Sequence, residues 1–163
     1  RHADQKSVLE LADEVNAEKK AKPQPPSERA VAPLDEKSSK DARALVARGL
    51  TFYKKMRYEK AAGSFEKSLA IDPNSKSALL AYTKTLLELD RMRDALVAAE
   101  KTVQIDPSNP EAQLLLGNAR QELGRNKASI QAYEEYLKLA PNGKFSSDVR
   151  QVVKGIKADL SHR

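Results

Sequence analysis

Small and large apolar positions along this chain return on a fixed beat. Ala61, Phe65, Ser68 and Pro73 mark the first occurrence, Ala95, Ala99, Thr102 and Pro107 the second, and Ser129, Tyr133, Tyr136 and Pro141 the third. Each step is 34 residues. A constant period of this size marks stacked helical units, none of which can bury its apolar face alone. Aligned on the prolines, the units run 42–75, 76–109 and 110–143. Apolar residues at three- and four-residue spacing predict two helices in each. The first pair is expected from Asp41, with Ser39 or Asp41 as N-cap, to about Lys55, and from Tyr58 to Ile71. The second is expected near 76–89 and 92–105, the third near 110–123 and 126–139. Asp72-Pro73-Asn74 stops a helix because proline cannot continue one, and Gly124 suits the left-handed residue that ends another.

The flanks follow different patterns. After Pro141-Asn142-Gly143, the residues Val149, Val152, Val153, Ile156 and Leu160 form one apolar stripe. This predicts a capping helix in 144–163, with Lys154 and Lys157 outward, because a repeat stack needs a polar outer face at its end. In residues 1–20, Val8, Leu11, Ala12 and Val15 share one face of an amphipathic helix with Ser7 as N-cap and Glu10 three residues on. An isolated helix of this length is marginal in water, which makes Val8, Leu11 and Val15 a candidate docking face. Residues 21–40 hold four of the eight prolines and read as an extended linker.

The first helix of each unit carries a recognisable grammar: Leu45, Gly49 and Phe52, then Leu79, Tyr82, Thr83 and Leu86, then Gln113, Leu116, Gly117 and Arg120. With the 34-residue, proline-terminated beat of the second helices, this resembles the tetratricopeptide repeat family. The resemblance covers residues 42–143 and implies an all-α, right-handed superhelical solenoid. Seven array helices are expected, preceded by the N-terminal helix and linker. The turns Asp72-Pro73-Asn74, Asp106-Pro107-Ser108-Asn109-Pro110 and Ala140-Pro141-Asn142-Gly143 resemble those of bacterial arrays of this family.

Composition narrows the chemistry. Cysteine is absent, and the two histidines, His2 and His162, stand at opposite ends of the chain. No nucleophile–base pair, metal-ligand spacing or glycine-rich phosphate loop is legible, so no enzyme, cofactor or metal site is expected. No stretch reaches the roughly 18 apolar residues of a membrane span, and a soluble protein of a bacterial cytoplasm or periplasm is expected. The net charge of +6 is uneven: residues 1–41 hold eight Lys/Arg against nine Asp/Glu, residues 42–163 hold 21 against 14. Lys54, Lys55, Arg57 and Lys60 cluster at one turn with few interleaved aromatics, which favours a solvated surface over a nucleic-acid site.

The resemblance further implies that the first helix of each unit lines a concave face where a peptide or helix of another protein lies. Carried onto this sequence, the groove positions are Arg43, Val46, Leu50, Tyr53 and Lys54, then Ser77, Leu80, Lys84, Leu87 and Glu88, then Glu111, Leu114, Asn118, Gln121 and Glu122. Val46, Leu50, Leu80, Leu87 and Leu114 would make an apolar strip. One subfamily grips acidic chaperone tails with Lys, Asn and Arg at positions that here hold Val46, Leu50, Ala81, Glu111 and Leu115, so that clamp is absent. The expected function is a non-enzymatic adaptor or scaffold within a larger bacterial assembly. The alternative is a self-assembling structural subunit, using the N-terminal helix or contacts between arrays.

Overall fold

The computed structural model describes residues 33–162. The expected N-terminal helix, with Val8, Leu11 and Val15, lies outside the described residues. Within them are seven α-helices and no strand: α1 (Glu36–Lys54), α2 (Tyr58–Ile71), α3 (Lys76–Glu88), α4 (Met92–Ile105), α5 (Pro110–Glu122), α6 (Asn126–Leu139) and α7 (Ser146–Ser161). All but α1 begin and end within about two residues of the positions that the apolar spacing predicts.

Helix α1 begins five residues before the expected Asp41, so residues 36–40 are helical rather than linker. The physical reason is a cap that neither Ser39 nor Asp41 supplies. The Asp35 carboxylate accepts the Ser38 backbone N–H at 2.8 Å and its hydroxyl at 3.1 Å. That satisfies an N–H left without a partner at a helix start. These hydrogen bonds hold the Asp35 carboxyl below its ordinary pKa. Glu36 and Lys40 then pair at 2.6 Å one turn apart. A polar first turn carries no apolar periodicity, which is why spacing alone hides it.

Each helix packs on the next in sequence. In addition α1 touches α3 and α3 touches α5, whereas α2, α4 and α6 do not meet one another. The odd-numbered helices therefore crowd on the inner side of the stack and the even-numbered ones splay on the outer side. That asymmetry curves the solenoid and makes the inner face concave.

Volumes are matched in pairs across each hairpin. Gly49 faces Phe65 and Gly117 faces Tyr133, so closely that a β-carbon on Gly49 would lie 2.5 Å from the Phe65 ring. At the same positions the middle repeat has Thr83 and Ala99, both fully buried. Two seams set a ring against a glycine, and the middle one divides its volume between two smaller side chains. Buried hydroxyls are also satisfied: Ser68 donates to the Ala42 carbonyl at 2.9 Å, and the Thr83 and Thr102 hydroxyls meet at 3.1 Å. Val149, Val153 and Ile156 of α7 close the last repeat against Ile130, Tyr133 and Tyr136, as the apolar stripe predicts.

The three turns inside the hairpins share one geometry. The amides of Arg57, Arg91 and Arg125 donate back to Phe52, Leu86 and Arg120 at 2.9, 3.0 and 2.8 Å. The residue before each arginine is left-handed: Met56 at φ 56°, Asp90 at 56° and Gly124 at 70°. This is the closing turn that glycine normally provides, and Gly124 provides it as predicted.

Candidate functional site

The concave face deepens at its C-terminal end, and helix packing explains where. Helix α5 follows the inner row of α1 and α3, but α7 packs on α6 without approaching the α5 backbone. A cavity of about 440 Å³ remains between them. Leu114, Leu115, Phe145, Val149 and Val152 form its apolar wall, while Tyr53, Lys84, Glu111, Asn118, Tyr133 and Asp148 supply polar groups.

The polar groups are held in fixed positions. Lys84 Nζ and Glu111 Oε1 lie 2.6 Å apart, joining α3 to α5 across the groove floor. The Tyr53 hydroxyl donates to Glu88 at 3.3 Å. The Tyr133 hydroxyl lies 2.9 Å from the Asn118 amide oxygen and 2.7 Å from that of Gln121. It has one proton, so one of those amides must present its NH₂ instead. Burial, with Glu88 adding, pushes the Tyr53 pKa up to about 12. Burial, with Glu122 adding, does the same for Tyr133. Both rings therefore stay neutral hydrogen-bonding groups at ordinary pH.

Of the residues expected in the groove, Tyr53, Lys84, Glu111, Leu114 and Asn118 converge on this cavity. Glu88 and Gln121 stand behind it as hydrogen-bond partners of its two tyrosines. Arg43, Val46 and Ser77 line a separate recess of about 220 Å³ near the start of α1. Val46 is largely enclosed there, because it packs against Ala61, Phe65, Ala78 and Ala81. Leu87 packs into the core around Leu96 and Ala99, and Leu80 is half-buried. Leu50, Lys54 and Glu122 are exposed. The apolar strip is thus interrupted, with Leu114 its member in the cavity.

Sequence reasoning missed the far wall. Phe145, Asp148 and Val152 come from the start of α7, and Tyr133 reaches inward from α6. The signal available was Phe145 at the head of the α7 stripe and the bulky Tyr133 opposite Gly117. Among the described residues no His, Cys, Asp or Glu cluster could hold a metal, and no helix is long and apolar enough to cross a membrane.

A helical-hairpin solenoid with a concave, side-chain-lined cavity defines a class of protein-interaction scaffold rather than a particular chemistry. A tetratricopeptide repeat sequence profile matches residues 29–76 and 84–144, more than half of the chain. The chain belongs to the tetratricopeptide repeat family, whose domains are protein–protein interaction modules. Comparison with curated proteins finds no match. Among solved structures it is similar to the first repeat domain of Spaghetti (RPAP3) bound to the HSP90 peptide SRMEEVD. That likeness has 21% identity and a TM-score of 0.71, over 80% of this chain and 99% of that one. The Arabidopsis OM64 domain gives 21% and 0.69, over 72% and 98%. The Yersinia enterocolitica secretion translocator chaperone SycD gives 18% and 0.69, over 77% and 98%. At these identities the likeness is one of fold.

Proposed function

We propose that this chain is a non-enzymatic adaptor that holds an apolar peptide or amphipathic helix of another protein in its concave groove. The observation that carries this reading is the α5–α7 cavity. Its volume of about 440 Å³ is in the range of ligand pockets, and its wall of Leu114, Leu115, Phe145, Val149 and Val152 can seat an apolar anchor. Convergent polar groups around such a wall fix the orientation of a bound segment.

An acidic chaperone tail of the kind bound to the RPAP3 domain is disfavoured here. Val46, Leu50, Ala81 and Leu115 offer no charge at the clamp positions. Glu111 would repel a carboxylate, and its ion pair occupies Lys84. Removing that lysine from the pair would leave Glu111 unpaired in a half-buried site.

The test is selection of a displayed library of amphipathic peptides on the full chain, followed by affinity measurement on variants. Leu114→Asp should weaken selected peptides at least about tenfold, the usual effect of removing a central apolar anchor. Val97→Asp, on the exposed outer face, should leave them unchanged. Peptides that ignore Leu114→Asp and are lost with Val97→Asp would place binding on the outer surface and refute the reading.

A further inference from the structure

The three hairpin turns share one backbone but not one chemistry. The second and third repeats place Glu88-Leu89-Asp90 and Glu122-Leu123-Gly124 there. Their leucines are half-buried and their turn residues tolerate a left-handed backbone. The first repeat has Lys54-Lys55-Met56 instead. It gives up the packed leucine for an exposed lysine, and it sets an unbranched apolar side chain at φ 56° with 73% of its surface exposed. An apolar residue held in a disfavoured conformation at the tip of a turn is not explained by stability. Around it stand Lys54, Lys55, Arg57 and Lys60, against Glu59. None of the four cations has an ion-pair partner among the described residues.

The tip is poorly suited to nucleic acid. Arg48 and Arg57 lie over the Phe52 ring at 5.5 and 5.7 Å, and Tyr58 packs edge-on to Tyr53 at 5.3 Å. The aromatics beside the cations are thus engaged with one another and with arginines rather than set out as a row of open stacking faces.

The complement of this tip is on the same chain. The concave cavity pairs an apolar wall with carboxylates in and beside it: Glu111 and Asp148 in the lining, and the exposed Glu88 and Glu122 next to its tyrosines. Lys84 is taken by Glu111, and Lys144 rests 5.1 Å over the Phe145 ring. Four carboxylates, Glu88, Glu111, Glu122 and Asp148, against the two ammonium groups of Lys84 and Lys144 make this hollow locally acidic on a chain of net charge +6. We propose that the Lys54–Lys60 turn of one copy docks in the α5–α7 cavity of a second copy, with Met56 as the apolar anchor and the turn's cations meeting Asp148 in the lining and the exposed Glu88 and Glu122 beside it. A thioether chain adapts well to an irregular wall. The net charge opposes random association, so the attraction has to be local. The inference rests on the groove being a binding surface, as proposed above, and adds a second copy of this chain as an occupant.

The experiment is light-scattering mass of the full chain over a concentration series into the millimolar range. One variant, K55L/M56D, copies the Leu89-Asp90 turn of the second repeat and so keeps the fold. The other, E122K/D148K, reverses exposed charges at the cavity and leaves the core untouched. Wild type should rise above 18.0 kDa with concentration, and each variant alone should stay at 18.0 kDa. An equal mixture of the two should form a dimer, because it retains one intact tip and one intact cavity. A wild type that stays monomeric, a variant that assembles like wild type, or a mixture that fails to associate would each overturn the proposal. Library peptides still lost on Leu114→Asp would then show the groove to be a binding site with a different occupant. Loss of both results would remove the groove reading as well.

Discussion

Exchanging one seam pair for another tests whether volume matching across each hairpin holds the stack together. Gly49→Thr puts atoms into the space of the Phe65 ring, where even a β-carbon would lie 2.5 Å from it. Phe65 is fully buried and cannot step aside, so the substitution should cost about 2–3 kcal/mol as overpacking. Phe65→Ala empties the same seam and should cost about 3–4 kcal/mol. Independent effects would total about 6 kcal/mol, enough to unfold many domains of this size. The double variant, however, rebuilds the Thr83–Ala99 pair of the middle repeat, in which both residues are fully buried. It should cost only about 3 kcal/mol, a coupling of about 3 kcal/mol at the upper end for residues in contact. Urea unfolding followed by helical circular dichroism, at low temperature for the weakest variant, measures all four corners of the cycle. Costs that add to within about 0.5 kcal/mol would refute the matched-pair account.

Two further outcomes follow from single side chains. Met56→Gly should raise stability by about 1 kcal/mol, because glycine adopts the left-handed turn without the steric cost of a β-carbon; a fall in the urea midpoint would mean the methionine is packed rather than strained. The pKa values of Tyr53, Tyr82 and Tyr133 are raised from 10.0 to about 12, first of all by burial. The neutral ring is the one the fold favours, so this stability is complete below pH 10 and is lost as pH climbs through 12. Tyrosinate absorbance should therefore show a late rise that shrinks in Tyr133→Phe, and an unchanged rise in that variant would contradict the assignment.

Much of this architecture is local information repeated three times. Pro73, Pro107 and Pro141 end helices by a steric rule that needs no tertiary context. The alternation of Gly49, Thr83 and Gly117 with Phe65, Ala99 and Tyr133 can be read as complementary volumes once the period is known. Gly124 could be placed at a left-handed turn for the same reason. The start of α1 could not be found by apolar spacing, because its cap, Asp35 to Ser38, is wholly polar.

The groove divides along the same line. Tyr53, Lys84, Glu111, Leu114 and Asn118 are placed by the resemblance to the tetratricopeptide repeat, which implies that the first helix of each unit faces inward. Depth is another matter. Whether Val46 or Leu87 opens to a partner or fills a core depends on how closely adjacent helices approach, and that distance is set by side chains far apart in the chain. The cavity itself exists because α7 packs on α6 and stands off from α5, bringing Phe145, Asp148 and Val152 opposite Leu114. Sequence by itself determined the repeat and its helices, because these are properties of neighbouring residues. Only the tertiary structure decided where the concave face is hollow, because a hollow is the space between elements whose separation no single segment encodes.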